Sequence, residues 1–228
     1  MKGKFIVIDG TDGAGKSTQL RYLGNLLKRR KLKTRYIHIP QHGRRSATMV
    51  DDYLNGKYGH VDPYIASLFY AVDRFDAGFA IKRWLKDGYV VLCDRWVTAN
   101  AGHQGGKIPN KTKRLQMFRW LKTLEYEICR IPRPDLTLLL HVPAADAYTL
   151  IGKKHKKEHG RGYLKSSRDL HEKDLAHLTK AEKSFLDVPS VFEKVKIIEC
   201  MHNGHLLSPA EIHEKIWSIV SRILVHNS

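Results

Sequence analysis

A glycine-rich segment between an apolar run and a helix-like repeat is the feature that most limits how this chain can fold. The segment spans residues 10–18 and reads GTDGAGKST, which fits the pattern G-x-x-x-x-G-K-[ST]. The run before it, FIVID at residues 5–9, has the length and apolar character of a buried parallel strand. After it, Leu20, Leu23 and Leu27 recur at helical spacing. The sequence therefore predicts a strand, a tight turn and a helix in the order of a phosphate-binding loop.

This turn has the chemistry needed to hold a polyphosphate. Its glycines allow backbone N–H groups to converge at a helix N-terminus, where the helix dipole also favours an anion. Lys16 would place a cation on the β- and γ-phosphates, and the Ser17 hydroxyl would be a ligand of Mg²⁺. ATP with Mg²⁺ is therefore the predicted cofactor. The predicted ATP-binding residues are Gly10, Thr11, Asp12, Gly13, Ala14, Gly15, Lys16, Ser17 and Thr18.

The rest of the chain alternates between strand-like and helix-like segments. We predict further strands at residues 35–39, 89–93, 136–142 and 195–199 and helices at about 65–85, 115–124 and 212–223, with a loop rich in Gly and Asn at 97–110. This alternation predicts a parallel sheet covered by helices on both faces. We expect one domain over residues 1–228, with the basic segment at about 153–167 as an inserted lid.

The helix predicted at 65–85 has a clear apolar stripe. Ile65, Leu68, Phe69 and Val72 follow the i, i+3, i+4, i+7 spacing of one helix face. We therefore expect this stripe to face the core.

Composition restricts the kinds of partner. No apolar run approaches the roughly 18–20 residues that span a bilayer, so no membrane partner is expected. Three scattered cysteines are typical of reduced thiols in a cytoplasmic protein. The net charge of +17 fits either a nucleic-acid surface or a basic site for small polyanions. The sequence has no aromatic-interleaved basic strand or recognition helix, which argues against nucleic acid.

The residues after the third predicted strand suggest which class of phosphate-binding protein this is. A GTPase would need N-K-x-D, but Lys113 stands where the acid is required after Asn110-Lys111-Thr112. A motor or repair ATPase would carry a Mg²⁺-holding acid at a strand end. Asp94 does end a strand, but Arg95 follows it directly. A guanidinium beside the phosphate loop suggests a second anionic substrate, although a structural Asp–Arg pair is an equally ordinary interpretation.

Two further groups of residues could form a pocket for a nucleobase. Tyr70 and Arg74 are four residues apart on one helix, so a ring and a guanidinium can face the same crevice. A half-buried tyrosine beside a surface arginine is the plain alternative. The segment after Arg95 adds the amide groups of Asn100 and Gln104 and the imidazole of His103, which otherwise form a polar turn.

Taken together, these motifs resemble the thymidylate kinase family. The resemblance rests on residues 9–18, Ile39-Pro40, Leu68-Phe69 with Asp73-Arg74, Asp94-Arg95-Trp96, Gln104-Gly105-Gly106 and Pro134-Asp135-Leu136, and it extends to about Glu172. It implies a P-loop nucleoside monophosphate kinase-like fold: a five-stranded parallel sheet flanked by helices on both faces, with a mobile lid. It also implies transfer of a phosphoryl group from ATP to dTMP, giving dTDP, and a homodimer built through long helices, for which the apolar helix at 112–128 is one plausible surface.

The resemblance also implies roles for single residues. Lys16, Asp12, Arg95 and a lid arginine would be catalytic. Gly13 occupies the position of the P-loop arginine found in other members, so Arg161, with Arg168 second, is the lid candidate. The implied acceptor-binding residues are Asp12 (3′-hydroxyl), Gln41, Tyr70 (stacking), Arg74 (pyrimidine carbonyl), Arg95 (phosphate), Asn100, His103 and Gln104. The implied metal ligands are Ser17, Asp9 and Glu172.

Several departures from the family pattern leave the acceptor open. Gln41 stands where members often have arginine, Trp96 replaces a common tyrosine, and His103 replaces a tyrosine that disfavours a 2′-hydroxyl. The alternatives are a kinase for dUMP, dCMP or a nucleoside, and a P-loop protein that binds nucleotides without transferring phosphate. A nucleic-acid-binding module is the alternative from a different class.

Overall fold

The computed structural model describes residues 2–155 and 175–225. Its strands are β1 (Lys4–Gly10), β2 (Thr34–His38), β3 (Val90–Asp94), β4 (Leu136–His141), β5 (Val195–Glu199), β6 (Met201–His202) and β7 (His205–Leu206). Its α-helices are α1 (Lys16–Arg29), α2 (Thr48–Leu54), α3 (Pro63–Lys86), α4 (Val97–Gly105), α5 (Lys111–Lys122), α6 (Ala144–His155), α7 (Leu175–Asp187) and α8 (Pro209–Val225). A π-helical turn (Thr123–Ile128) continues α5.

The predicted five-stranded parallel sheet is confirmed. Its strand order is β2-β3-β1-β4-β5, and every pairing in it is parallel. β1 is central, with Ile8 beside Asp94 of β3 and Gly10 beside Leu140 of β4. The carboxyl ends of β1 and β3 therefore meet at one edge of the sheet, which is where ligands bind in open parallel sheets.

Helices cover both faces of the sheet, as the alternating pattern predicts. One apolar cluster joins β1 and β3 to α3, α4, α5 and α7, with Phe5, Trp96 and Phe118 among its fully buried members. The other joins the opposite face to α1, α6 and α8, with Leu23, Leu138 and Ile216 buried in it. The central strands are buried on both faces, which explains their continuous apolar runs.

The prediction of a loop at 97–110 is wrong for residues 97–105, because Val97–Gly105 forms α4. The glycines there serve close packing rather than a turn. A methyl group on Gly105 would lie 2.6 Å from both Phe118 Cε1 and Ser184 Oγ, so the absence of side chains lets α5 and α7 approach α4. Propensity alone counts glycine against a helix, and the tertiary contact outweighs it here.

The buried face predicted for α3 is wrong for three of its four residues; the fourth, Phe69, is half-buried against the small cluster around Tyr53. Ile65, Leu68 and Val72 are 48%, 37% and 56% exposed. The buried side of α3 instead carries small and polar residues together with Ile81: Ala66, Ser67, Ala71, Asp73, Arg74, Ala77 and Gly78. α3 is apolar on more than one side, so periodicity could not tell which side meets the sheet.

Most of the predicted lid lies outside the described residues, so the single-domain organisation with a lid stays a prediction. Within the described ranges, no helix is long and apolar enough to cross a membrane. Cys93 and Cys200 are buried thiols and Cys129 is partly buried.

Candidate active site

The phosphate-binding loop lies between the end of β1 and the start of α1. Gly13 and Gly15 have φ angles of +84° and +85°, a region that side chains other than glycine rarely adopt. The Lys16 ammonium folds back over the turn and donates to the carbonyls of Gly10 (3.0 Å) and Thr11 (2.8 Å). Burial and the nearby Arg95 guanidinium lower the pKa of Lys16. The lysine is thus held inside the loop, beside the backbone N–H groups that start α1.

Gly13 leaves no room for a side chain. A methyl group there would lie 2.4 Å from the Ala147 carbonyl oxygen of α6. An arginine at this position would require α6 to move. The role of a lid arginine stays a prediction, because Arg161 and Arg168 lie outside the described residues.

Arg95 joins the phosphate loop to the end of β3. Its backbone adopts φ +67° directly after the strand, and its N–H donates to Ile8 of β1 (3.2 Å). Its guanidinium Nη2 donates to the Asp12 carboxylate in a close ion pair. Asp12 Oδ1 also lies 3.6 Å from Lys16 Nζ. Three of the residues predicted to be catalytic, Asp12, Lys16 and Arg95, therefore form one cluster.

The charges in this cluster stabilise one another. Burial alone would raise the pKa of Asp12, but Arg95 and then Lys16 outweigh it and hold the pKa of this carboxyl well below its usual range. Asp12 is therefore ionised at neutral pH. Its carboxylate partly offsets two cations that otherwise would repel each other in a buried place.

The oxygen donors near the loop fit a hard cation such as Mg²⁺. Ser17 is exposed in the first turn of α1, and Asp94 ends β3 with its Oδ1 buried and without a hydrogen-bond partner among the described residues. Asp9 is less available, since its oxygens accept from Thr98 Oγ1 (2.6 Å) and Gly10 N (3.0 Å). Burial raises the pKa of Asp9 to about 6. Glu172 lies outside the described residues.

The predicted base-binding residues lie where α3 and α4 pack together. Asn100 of α4 donates from Nδ2 to the Ser67 carbonyl of α3 (3.1 Å). Gln104 is 1% exposed, and its Oε1 has no hydrogen-bond partner among the described residues. Tyr70 is half-buried on α3 and meets Tyr53 edge-on. Asn100 thus joins α4 to α3, and both amide side chains are buried.

Arg74 lies deeper than the sequence suggests. It is 1% exposed and forms a two-pronged ion pair with Glu125 of the π-helical turn: Nε to Oε2 is 2.6 Å and Nη2 to Oε1 is 2.7 Å. Its third nitrogen, Nη1, lies 3.5 Å from the Trp96 carbonyl oxygen, a long contact. The alternative of a surface arginine is therefore wrong.

The remaining two predicted acceptor residues have different surroundings. Gln41 follows the cis Ile39–Pro40 bond and is tied to α3, donating from N (2.8 Å) and Nε2 (3.1 Å) to the Asp73 carboxylate. His103 stacks on His177 of α7 with ring centroids 5.8 Å apart. Burial lowers the pKa of His103 well below its usual value, and its Nε2 has no hydrogen-bond partner among the described residues.

A cavity opens beside this histidine pair. It has a volume of about 300 Å³ and is lined by His60, Pro63, Lys107, His177 and Lys180. Burial lowers the pKa of Lys107 to about 8. Among the described residues, the lining carries ammonium and imidazole groups and no carboxylate, so this cavity favours anionic or polar ligands.

Sequence reasoning missed Glu125 and His177 of the site. They gave no signal because each acts through a partner that is distant in the chain. Asp73 and Asp94 stood in the motifs, but neither could be assigned a role of its own from the sequence. Asp73 holds Gln41, 32 residues away, and Asp94 ends a buried strand beside the phosphate loop.

The chain is similar to known proteins in both sequence and fold. Residues 8–203 match the family model described as thymidylate kinase. The chain is 25% identical to a probable thymidylate kinase of Pyrococcus abyssi, with 99% of each chain covered, and 27% identical to the thymidylate kinase of Desulfotalea psychrophila, with 97% and 96% covered. A thymidylate kinase of Pelotomaculum thermopropionicum is 38% identical over 46% of this chain, and that match spans only about half (49%) of the relative's length.

A solved structure has the same fold. The thymidylate kinase of Candida albicans superimposes with a TM-score of 0.74 at 20% identity, covering 99% of this chain and 94% of the other. Because the family model covers most of the sequence, this chain belongs to the thymidylate kinase family.

Proposed function

We propose that this chain transfers the terminal phosphoryl group of ATP to dTMP, giving ADP and dTDP. The observation that carries the proposal is the ion pair between Arg95 and Asp12, which joins a second anion-binding group to the phosphate loop. A guanidinium beside the loop lets the acceptor phosphate lie next to the γ-phosphate. The family membership and the names of the relatives supply the identity of the acceptor.

The proposed chemistry is positioning and charge neutralisation. The loop N–H groups and Lys16 hold the triphosphate, and Arg95 holds the acceptor phosphate. To do so, the Arg95 guanidinium must turn from Asp12 toward the incoming phosphate. Such a transfer passes through a loose, in-line transition state that needs little covalent help from the protein. From the sequence, Arg161 would add a further cation to the transferring group when the lid closes.

Mg²⁺ fits the oxygen donors of this site. Ser17 and Asp94 would hold it, with Asp9 and Glu172 as the further ligands implied by the resemblance. At this place the positive charge of Mg²⁺ would offset the negative charge of the phosphates during transfer.

The acceptor base would lie between α3 and α4. Tyr70 would stack on it, Arg74 would donate to a carbonyl, and Asn100 and Gln104 would reach its edge. Asp12 would hold the 3′-hydroxyl, with His103 beside the sugar and Gln41 beside the acceptor.

The proposed assembly is a homodimer. The surface suggested for it, the helix at 112–128, is contradicted in part, because Met117, Phe118 and Leu121 of α5 are fully buried in the core. The exposed apolar stripe of α3 is the better surface: Ile65, Leu68, Val72, Phe75 and Phe79 are each at least 37% exposed and follow one helix face.

The proposed location is the cytoplasm. Buried unpaired thiols are in keeping with this reducing compartment.

An acceptor panel in an ADP-release assay tests the proposal. We expect dTMP to stimulate ADP release more than dUMP or dCMP. Lys16→Met should abolish the stimulated rate, whereas Lys28→Met, the same change at an exposed position of α1, should not. Absence of acceptor-stimulated ADP release would refute the kinase assignment, and a preference for dCMP would refute the assigned acceptor.

A further inference from the structure

Arg74 is the residue whose surroundings the proposed function does not explain. It is buried on α3, and its carboxylate partner Glu125 is 0% exposed and 51 residues away in the chain. Glu125 lies in the π-helical turn Thr123–Ile128. Such turns are rare and occur often at functional sites, since they reorient a side chain within an otherwise regular helix.

The ion pair between Arg74 and Glu125 uses only two of the three guanidinium nitrogens. Glu125 accepts from Nε and Nη2 along one edge of the guanidinium at 2.6 and 2.7 Å. Nη1 carries two of the five guanidinium N–H groups, and its 3.5 Å contact with the Trp96 carbonyl is too long for a strong hydrogen bond. Nη1 is thus the nitrogen of Arg74 best able to donate to a ligand.

Charge points to the kind of ligand group that Nη1 would meet. The carboxylate cancels the charge of Arg74 at close range, so this site donates hydrogen bonds without strongly attracting an anion. Arg95 keeps a more exposed guanidinium, 23% accessible, for the phosphate. A neutral carbonyl oxygen of a base is therefore the matching partner for Arg74.

We infer that Glu125 is a positioning residue for acceptor recognition: its two-pronged ion pair fixes the Arg74 guanidinium so that Nη1 donates to a carbonyl of the acceptor base. This inference rests on the proposed function. Glu125 touches no substrate itself and acts through Arg74 alone.

Glu125→Gln tests the inference, with Glu127→Gln as a matched control on an exposed acid of the same turn. The readouts are the KM for dTMP, the KM for ATP and the inhibition constant of 2-deoxyribose 5-phosphate, which has the sugar and phosphate but no base. We expect Glu125→Gln to raise the KM for dTMP about tenfold, the loss of one hydrogen bond. The KM for ATP and the inhibition by 2-deoxyribose 5-phosphate should stay within about twofold.

A merely structural role would give a different pattern. Damage to the site as a whole would weaken dTMP and 2-deoxyribose 5-phosphate equally, which would overturn the inference, as would an unchanged KM for dTMP. Should Glu125→Gln not fold, because it leaves a buried arginine unpaired, Glu125→Asp keeps the charge and withdraws the carboxylate by about 1.5 Å. It should again weaken dTMP selectively, and equal effects on both ligands would refute the inference.

The test separates this inference from the proposed function. Failure of the wild-type chain to phosphorylate dTMP would refute the proposed function. Calorimetric affinities of dTMP and 2-deoxyribose 5-phosphate need no turnover, so they would still decide the role of Glu125.

Discussion

Replacing Gly102 by alanine should destabilise the contact between α4 and α7. The added methyl group would lie 2.2, 2.3 and 2.4 Å from three atoms of the Phe185 ring, and Phe185 is 3% exposed. Overpacking of this kind costs about 1–3 kcal/mol. Alanine gains roughly 0.5–1 kcal/mol over glycine within a helix, which leaves a net loss of about 0–2.5 kcal/mol. Because the methyl group would meet three ring atoms at once, we expect a net loss of about 1–2 kcal/mol.

Thermal unfolding followed by circular dichroism measures the effect. For a chain of this size, a loss of about 1–2 kcal/mol lowers the Tm by about 2–8 °C. Gly152→Ala is the matched control, because Gly152 is exposed on α6 and a methyl group there meets no atom of the described residues within 4 Å outside its own helix backbone. That variant should be as stable as wild type or more so, by up to about 1 kcal/mol.

Gly102→Ala should also disturb the candidate active site. The Phe185 ring meets His103 edge-on, with centroids 5.2 Å apart, so displacing it moves a residue proposed to lie beside the acceptor sugar. Adding Phe185→Leu should recover part of the lost stability, with a coupling of about 0.5–3 kcal/mol between the two sites. A Tm for Gly102→Ala at or above the wild-type value would refute the packing argument.

Three further predictions concern other parts of the chain. The His141 imidazole forms hydrogen bonds with Glu199 (2.6 Å) and Glu182 (3.0 Å). Burial opposes its charged form, but these two carboxylates outweigh burial and raise the pKa of His141. We therefore expect His141→Gln to lower the urea midpoint of unfolding more at pH 6.0 than at pH 8.5. The sign follows because the stabilisation is complete below the unfolded pKa of about 6.5 and is lost as pH rises through the folded pKa; equal losses at both pH values would contradict it. Phe79→Glu should convert a dimer to monomers in sedimentation velocity, and an unchanged sedimentation coefficient would exclude α3 as the interface. Arg161→Ala should lower kcat by about 10³-fold with little change in the KM for dTMP; retained turnover would remove this residue from the mechanism.

Much of the fold and part of the site follow from local patterns in the sequence. The buried run before Gly10, the glycine turn and the leucine repeat after it are contiguous, so their spacing alone predicts the phosphate loop. Arg95 is equally predictable, because a polar residue directly after a buried strand must lie at the carboxyl edge of a parallel sheet.

The tertiary structure decided what depends on residues distant in the chain. Which side of α3 faces the sheet was open, since Ile65 and Val72 suit a core as well as Ala66 and Ala77 do, and packing chose the small residues. Helix α4 forms across a glycine-rich segment because α5 and α7 pack so closely against it that larger side chains would clash. This tertiary packing outweighs the low helix propensity of glycine. The partner of Arg74 was equally open, because the 51 residues to Glu125 are bridged only when α3 packs against the π-helical turn. The spacing of apolar residues in the sequence shows which side chains can be buried together. The free energy gained by burying them depends on the side chains they pack against in the folded chain.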